Sequence, residues 1–456
     1  MPVPATILQM LEINNIVYAL KATEPQIASA PANPCHVRSQ ILEDSQGRVQ
    51  ALLPANALLD LELIAKQFGR QFKAVSRQEM RPILAVQNLT SVPAMPAWQG
   101  MATLVDATIL QHPAVWLESG DRSQLVEMQS SDFQALIKNA NVGNFAVSAP
   151  QLPISAESDK AQIADSVSLF TKRRIKQRLE DTLELPPLSE TAQRIIQLRA
   201  NPRADISDLA KIVELDPSLT AQVVSWASSP YYSAPGKIKS VQDAIVRVLG
   251  FDMVMNLALG LSLGKSFNTS VITPQQMNTY WRNAVATAAV VEGLITSMPR
   301  TERPSFGLAY LGGLLHNFGY LILAEVFPPY FVNLNRYFEV NSPLPQGVVE
   351  QHLIGVASCQ LAAWLLESWN MPVEVVVALR QQFNPAYRGE HSVYANLIFV
   401  ATQLLASRGF SEREAMPIPA SMYEALNLSA DSVEITINNI LESGDDLASI
   451  AEKMQG

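Results

Sequence analysis

Cysteine and charge are scarce in this chain. Only 16% of its 456 residues are charged, and its two cysteines, Cys35 and Cys359, lie far apart. Two distant thiols do not build a disulfide framework, and no Cys-x-x-Cys pair is present for a structural zinc site. The sequence therefore predicts a protein of the reducing cytoplasm.

Long hydrophobic runs and a surplus of basic charge are missing as well. No apolar run reaches the ~18 residues that a membrane-spanning helix needs, and the first residues lack the basic-then-apolar pattern of a signal peptide. The net charge is -9, which gives no overall attraction to nucleic acid or to an anionic membrane. We therefore expect no membrane association.

Hydrophobic residues, in contrast, make up 48% of the chain, enough to fill the cores of two or three domains. Residues 1–137 alternate strand-like and helix-like segments. The turn Asp44–Gly47 separates two extended runs and predicts a β-hairpin. Gly69 ends one amphipathic segment, and Ser76 with Glu79 forms a capping box for the next helix. These signals predict a mixed α/β domain.

Residues 138–165 are rich in turn formers and poor in periodic apolar residues, so we predict an interdomain linker there. From residue 166 to 456 the apolar pattern is almost wholly helical. Asp216-Pro217 is a helix start and Gly250 a helix end. The predicted fold class is α+β and multi-domain, with a mixed α/β domain first and an all-α domain with a C-terminal helical extension second.

Three segments of the helical half follow one another in a characteristic order. They are Leu185–Ala192, Val213–Thr220 and Ser240–Gly250. Together with the later step Gly313–Tyr320, they closely resemble the HDOD family, a branch of the HD superfamily found in bacterial signalling proteins. The resemblance spans roughly residues 175–405. It implies an all-helical HD-like fold.

The HD superfamily also implies a metal site made of His and Asp side chains on several helices. Carried over by position, these ligands fall on Asn283, His316, Asn317, Ser358, Gln382, Phe383 and Thr402. Only His316 is a good metal ligand, because an amide or hydroxyl brings no negative charge to a divalent cation. We therefore predict no metal and no cofactor.

Two interpretations of His316 stay open. Its imidazole is either buried and bonded to a neighbouring helix, or part of a polar pocket with Asn317 and Asn283. Such a pocket would bind a small ligand, such as a nucleotide, without metal.

A series of segments in the N-terminal half carries a second resemblance. They are Ile13–Tyr18, Val37–Leu42, Leu53–Asn56, Leu61–Ala65, Pro93–Pro96 and Glu118–Arg122. They resemble the YbaK and prolyl-tRNA deacylase (ProX-like) editing family over about residues 4–137. That family hydrolyses misacylated aminoacyl-tRNA with a Lys in the first long strand and a Gly-containing loop near the Pro segment.

Carried over, the Lys position is Arg38, and the loop reads Gln87–Pro93 without glycine. Arg stays protonated, so it does not simply replace Lys. The resemblance makes Arg38 a candidate catalytic residue and a candidate ligand for an anionic group. Arg38 is equally typical of an exposed or salt-bridged strand residue. Pro93 and Gly120-Asp121-Arg122 are further binding candidates, although the latter is also an ordinary turn sequence.

Both halves thus resemble enzyme folds with substituted chemical positions. The leading hypothesis is a cytoplasmic, non-catalytic signalling or regulatory protein that acts through a protein partner. Its N-terminal domain is the expected site for tRNA or a small anionic ligand. The alternative is an active aminoacyl-tRNA deacylase with a helical appendage, and a metal-dependent phosphohydrolase comes third. Homo-oligomerisation is left open by the sequence.

Overall fold

The chain divides into two compact units. The first holds the residues up to Gln151 together with Val332–His352, and the second holds most of the remainder. The computed structural model describes residues 4–22, 34–121, 123–153, 156–175, 188–232, 236–267, 271–410 and 415–453. The segment Val332–His352 is therefore distant in sequence from the rest of its unit.

The first unit is built around a mixed β-sheet. Its described strands are β1 (Tyr18–Ala22), β2 (Cys35–Asp44), β3 (Gly47–Pro54), β4 (Ala57–Leu59), β5 (Lys73–Ala74), β6 (Ala102–Asp106), β7 (Ala114–Glu118), β8 (Gln124–Gln129), β9 (Asn141–Gly143) and β10 (Ala146–Ser148). The main sheet has the order β1-β8-β7-β2-β3-β6-β9, with β5 on β2, and β4 pairs with β10 in a small second sheet. β2 pairs antiparallel with β3 and parallel with β7.

Local chemistry accounts for the central hairpin. Asp44 pairs with Gly47 at the β2–β3 turn, as predicted, and Gly47 has a positive φ of 119° that glycine adopts readily. Alternate residues of β2 leave opposite faces of the sheet. Val37 packs in the apolar core of one face with Leu52 of β3. The hairpin prediction is confirmed.

The α-helices of the described residues are α1 (Ala5–Ile13), α2 (Leu61–Phe68), α3 (Arg77–Val86), α4 (Ser130–Leu136), α5 (Asp159–Ile175), α6 (Glu190–Arg199), α7 (Ile206–Glu214), α8 (Pro217–Ala227), α9 (Val241–Ala244), α10 (Phe251–Gly264), α11 (Pro274–Ser297), α12 (Phe306–Leu315), α13 (Phe318–Val326), α14 (Pro328–Val340), α15 (Gln346–Ile354), α16 (Ser358–Ser368), α17 (Val373–Gln381), α18 (Ser392–Ser407), α19 (Ala420–Ala425), α20 (Ala430–Glu442) and α21 (Gly444–Lys453). The second unit is almost wholly helical, as predicted. Its core consists of the buried faces of α10 to α13 and α16 to α18.

The predicted helix ends follow from capping groups. Gly69 closes α2 in the left-handed conformation, and Ser76 with Glu79 forms the expected capping box of α3. Asp216 accepts a hydrogen bond from the backbone N–H of Leu219 at the start of α8. Each cap satisfies helix-end groups that would otherwise lack a partner.

One long apolar stretch of the helical unit differs from its predicted form. The pattern predicts a single helix from Tyr310 to Val326, but the structure ends α12 at Leu315 and begins α13 at Phe318. Asn317 leaves the α-helical conformation, which breaks the helix. Among the described residues, Phe306–Val326 is the one stretch that is apolar and long enough to cross a membrane, and 72% of its most apolar window is buried.

The segment predicted as a linker, residues 138–165, is mostly ordered structure. β9 pairs with β6, and β10 pairs with β4, because short apolar stretches find a strand edge that the sequence pattern does not reveal. The division between the two units falls after Gln151, and α5 begins at Asp159.

A buried ion pair holds the start of α5 in the helical unit. The Asp159 carboxylate accepts hydrogen bonds from Nε and Nη2 of Arg380 at 2.5 and 2.9 Å and from Nε2 of Gln360 at 2.6 Å. Arg380 also donates to the carbonyl of Pro153 at 2.9 Å. Removing one member of such a pair leaves a buried charge without compensation.

We predict that Asp159→Asn lowers the free energy of unfolding of the helical unit by about 3–5 kcal/mol, because Arg380 loses its counter-charge. Urea denaturation followed by far-ultraviolet circular dichroism measures this. The matched control is Glu190→Gln, which removes the exposed partner of Arg194 and should cost less than about 1 kcal/mol. Equal, small losses in both variants would contradict the assignment.

Candidate functional site

Arg38 lies in the middle of β2, and only 1% of its surface is exposed. Its Nη2 donates to the carbonyl of Ala57 at 3.3 Å and to Oδ1 of Asn341 at 3.0 Å. Burying a guanidinium is unfavourable unless hydrogen bonds compensate for its lost hydration. The structure therefore assigns Arg38 well-defined internal partners, one of them a residue 303 positions away.

Asn341 completes this arrangement. Its Oδ1 also accepts from the backbone N–H of Leu59 at 2.7 Å, and its Nδ2 donates to the carbonyl of Leu59 at 3.0 Å. The side-chain amide thus pairs with both backbone groups of Leu59, as a neighbouring strand would. A second bond from Nδ2 reaches the carbonyl of Tyr337 in α14.

The Pro93 loop lies on the other face of the sheet from Arg38. Gln50 of β3 donates through Nε2 to the carbonyl of Pro93 at 2.9 Å and to Oγ of Ser39 at 3.0 Å. Ser39 follows Arg38 in β2, so the two side chains leave opposite faces. The strand therefore directs the Arg38 side chain away from the Pro93 loop.

Gly120, in contrast, is close to the Pro93 loop. Its carbonyl accepts from the backbone N–H groups of Thr90 and Ser91 at 2.8 and 3.1 Å. Gly120 has φ of 87°, and an added Cβ would lie 2.7 Å from the Leu89 side chain and 3.5 Å from Cβ of Pro93. Glycine is needed here for both conformation and space.

The next residue belongs to a turn. Oδ1 of Asp121 accepts from the N–H and the hydroxyl of Ser123, both at 2.9 Å, and these bonds hold the pKa of Asp121 below its usual value. Arg122, the remaining binding candidate, lies outside the described residues. The observed bonds of Asp121 are those of an ordinary turn.

Further contacts attach the segment Val332–His352 to α2. Asp60 caps α2 and accepts from the Tyr337 hydroxyl at 3.1 Å, and Nε2 of His352 lies 3.2 Å from its second oxygen. Burial alone would raise the pKa of Asp60, but its hydrogen bonds, with that to His352 the strongest, lower it overall. Arg336 donates to the carbonyl of Phe72 at 3.1 Å.

In the helical unit, three of the HD-type positions, His316, Asn317 and Gln382, lie where α12 ends and α13 begins. Nδ1 of His316 donates to the carbonyl of Gly313 at 2.8 Å, within its own helix turn. Asn317 donates through Nδ2 to the carbonyl of Tyr280 in α11 at 3.1 Å. Gln382 donates through Nε2 to the carbonyl of His316 at 2.8 Å. Asn283 lies one turn after Tyr280 in α11 and is half-buried.

The two remaining positions with polar side chains lie on neighbouring helices. The backbone of Ser358 packs against Gly319, where an added Cβ would meet the Ser358 carbonyl oxygen at 2.4 Å. Thr402 donates to the carbonyl of Phe399 in its own helix. In the part of the chain that the structure describes, no three His, Cys, Asp or Glu side chains group as ligands of one ion.

The unusual acidic group of this unit lies elsewhere. Glu292 of α11 accepts from the Tyr232 hydroxyl at 3.4 Å, and the Tyr232 ring packs edge-on against Tyr231. Burial raises the pKa of the Glu292 carboxyl to about 7, although the bond from Tyr232 lowers it in part. Ionisation of this carboxyl therefore lowers the stability of the folded state.

Two family models match this chain. The HDOD domain model matches residues 185–385, and the aminoacyl-tRNA editing domain model matches residues 26–136. A candidate signal transduction protein from Marinobacter aquaeolei VT8, known by crystal structure, is 40% identical. The similarity covers 99% of this chain and 100% of that one, with a TM-score of 0.85. The chain carries an HDOD domain and an aminoacyl-tRNA editing domain.

Two further relatives match part of this chain. An HDOD domain protein from Geobacter sulfurreducens has the same fold with a TM-score of 0.50 and 18% identity, over 64% of this chain and 99% of that one. A protein from Treponema pallidum (strain Nichols) is 23% identical over 210 residues, which are 46% of this chain and 39% of the relative. Both resemblances predicted from sequence are confirmed.

Sequence reasoning missed the residues that organise these sites. Asn341 lies inside the stretch matched by the HDOD model but belongs to the same compact unit as the editing domain. A polar residue just after an amphipathic helix is an ordinary turn signal. No local pattern could have indicated its bonds to Arg38 and Leu59.

The raised pKa of Glu292 predicts a pH-dependent stability. Its folded-state pKa of about 7 exceeds the ordinary glutamate value of 4.5, so stability falls as pH rises between these values and stays reduced above pH 7. The wild type should lose on the order of 2–3 kcal/mol of its free energy of unfolding between about pH 5 and pH 8, and we expect Glu292→Gln to abolish this loss.

Chemical denaturation at a series of pH values measures this difference. The wild type and the Glu292→Gln variant should converge below about pH 4.5, diverge between about pH 4.5 and pH 7, and keep a constant difference above pH 7, with the variant more stable. Parallel pH profiles of the two proteins would show that Glu292 does not carry the effect.

Proposed function

We propose that this chain is a regulatory protein of bacterial signalling in which neither domain hydrolyses a substrate. The editing domain acts as a sensor or docking module, and the HDOD domain acts on a protein partner by contact. The observation that carries this proposal is the set of uncharged side chains at the HD-type ligand positions. Three of them, Asn317, Gln382 and Thr402, donate to backbone carbonyls.

The donor set at those positions does not fit a catalytic divalent ion. Asn317 and Gln382 are neutral amides, and each uses its NH2 group to bond a backbone carbonyl. A catalytic site of this kind needs several charged or imidazole ligands and an open position for an activated water. His316 alone offers such a ligand, and its Nδ1 is bonded to Gly313.

The bonding of Arg38 in the editing domain also supports this proposal. Arg38 occupies the position of the family Lys, but its guanidinium is buried and bonded to Ala57 and Asn341. A general base or ester-positioning group must reach the substrate within hydrogen-bond distance. The Pro93 loop lies on the opposite face of the sheet, so a shared ester site is not supported.

Similarity adds support for signalling. The Marinobacter aquaeolei protein, which matches this chain over nearly its full length, is described as a candidate signal transduction protein. The cytoplasmic location and the protein partner stay predictions from the sequence. The second candidate function is aminoacyl-tRNA deacylation, which the editing-domain match favours; it requires a site that does not depend on Arg38 and Pro93 acting together.

A deacylation assay separates these two functions. The full-length chain is incubated with a panel of mischarged tRNAs, and we expect amino-acid release at the spontaneous rate. Arg38→Lys restores the family residue and is the matched variant. It should also show no release, because the strand directs residue 38 to Asn341 and not to the Pro93 loop.

Metal dependence is tested in parallel. The chain is loaded with Mn²⁺, desalted and analysed for bound metal, and phosphodiesterase activity is assayed on a chromogenic diester. We expect well below one equivalent of metal for the wild type and for Asn317→Asp, since one carboxylate does not rebuild the site. Stoichiometric metal with metal-dependent activity, or tRNA deacylation above background, would overturn the proposal.

A further inference from the structure

One edge of β4 is covered by side chains instead of by a strand. The opposite edge pairs with β10, where Leu58 lies opposite Val147. On the covered edge, the carbonyl of Ala57 accepts from Arg38, and both backbone groups of Leu59 pair with the Asn341 carboxamide. A carboxamide presents a carbonyl oxygen beside an N–H donor, so it satisfies Leu59 as a peptide group would.

We propose that this edge of β4 is a recognition site for the amide group of an external ligand, and that Asn341 is a built-in competitor for it. This inference rests on the proposed sensor role of the editing domain and names its ligand class. The ligand's carbonyl oxygen would accept from the N–H of Leu59 and from Nη2 of Arg38. Its N–H would donate to the carbonyl of Leu59.

The geometry selects an amide over a carboxylate. A carboxylate could accept from Arg38 and from the N–H of Leu59, but it has no donor for the carbonyl of Leu59. The two acceptor oxygens would then face each other without a proton, and a buried acceptor without a partner is unfavourable. The site therefore distinguishes acetamide from acetate, two molecules of nearly the same shape.

Displacement of Asn341 would have a consequence along the chain. Asn341 directly follows α14, and its other contact is the carbonyl of Tyr337 in that helix. Further side-chain bonds of Val332–His352 to the sheet domain come from Arg336, Tyr337 and His352, and these three are only partly buried. An amide ligand would therefore loosen Val332–His352, which lies within the HDOD match.

The test uses the full-length chain with Asn341→Gly, which removes the atoms of one acetamide. Hydrogen exchange by mass spectrometry is measured across Val332–His352. We expect exchange there to become at least about tenfold faster, because several buried hydrogen bonds are lost. Saturating acetamide should restore most of the protection, and acetate should not.

Two variants examine the specificity of this rescue. Arg38→Met in the Asn341→Gly background should abolish the acetamide response, because the second donor to the carbonyl oxygen is gone. Asn396→Ala removes a different buried amide, 2% exposed and located in α18. In that variant acetamide should give no protection in Val332–His352. A folded Asn341→Gly protein that ignores acetamide would overturn the inference.

The unaltered chain provides an independent measurement if Asn341→Gly fails to fold. Acetamide should accelerate exchange selectively in Val332–His352 by competing with Asn341, while exchange in α18 stays unchanged. If acetamide does not change hydrogen exchange in the wild type, Asn341 is only a structural cap. Neither experiment involves tRNA or metal, so its failure is distinct from failure of the proposed function.

Discussion

The buried guanidinium of Arg38 is the constraint on which the sheet unit depends. A cation in the interior needs hydrogen-bond acceptors within reach, because its hydration is lost. The carbonyl of Ala57 supplies one acceptor and Asn341 supplies another. The edge of β4, the end of α14 and the middle of β2 are thereby fixed by one set of bonds. Through it, a segment distant in sequence becomes part of the sheet unit.

The helical unit also contains a buried cation with fixed partners, at the start of α5. Asp159 and Arg380 are both nearly buried and form a bidentate pair, with Gln360 as a third member. Such a pair contributes little net stability compared with an apolar contact, but it penalises any arrangement that separates the charges. It therefore specifies where α5 begins. In each compact unit, a buried arginine thus fixes the position of a segment.

Local features of this fold could be predicted from the sequence because their causes are local. The turn at Asp44–Gly47, the capping box of Ser76 and the N-cap at Asp216 each depend on residues within four positions. The short strands β9 and β10 could not be predicted, since their pairing depends on edges offered by distant segments. The bond between Arg38 and Asn341 spans 303 positions and leaves no periodic signal at either end.

The candidate sites show the same division. Position-by-position comparison indicated that carboxylates are replaced at Asn317 and Thr402. It did not indicate which groups the new side chains would bond to. In the structure, Asn317 bonds to Tyr280 and Thr402 to Phe399. An amide in place of a carboxylate keeps the shape of the side chain, gains a donor and loses the charge.

That exchange has a definite physical effect at the centre of a helical unit. Carboxylates gathered in a low-dielectric interior repel one another unless a cation lies between them. Neutral amides need no cation and can bond directly to the helix backbone. Substitution of the charged ligands thus removes the electrostatic need for a metal and gives these side chains a role in joining helices. In the same unit, burial raises the pKa of the Glu292 carboxyl to about 7, and the hydrogen bond from Tyr232 offsets this rise only in part.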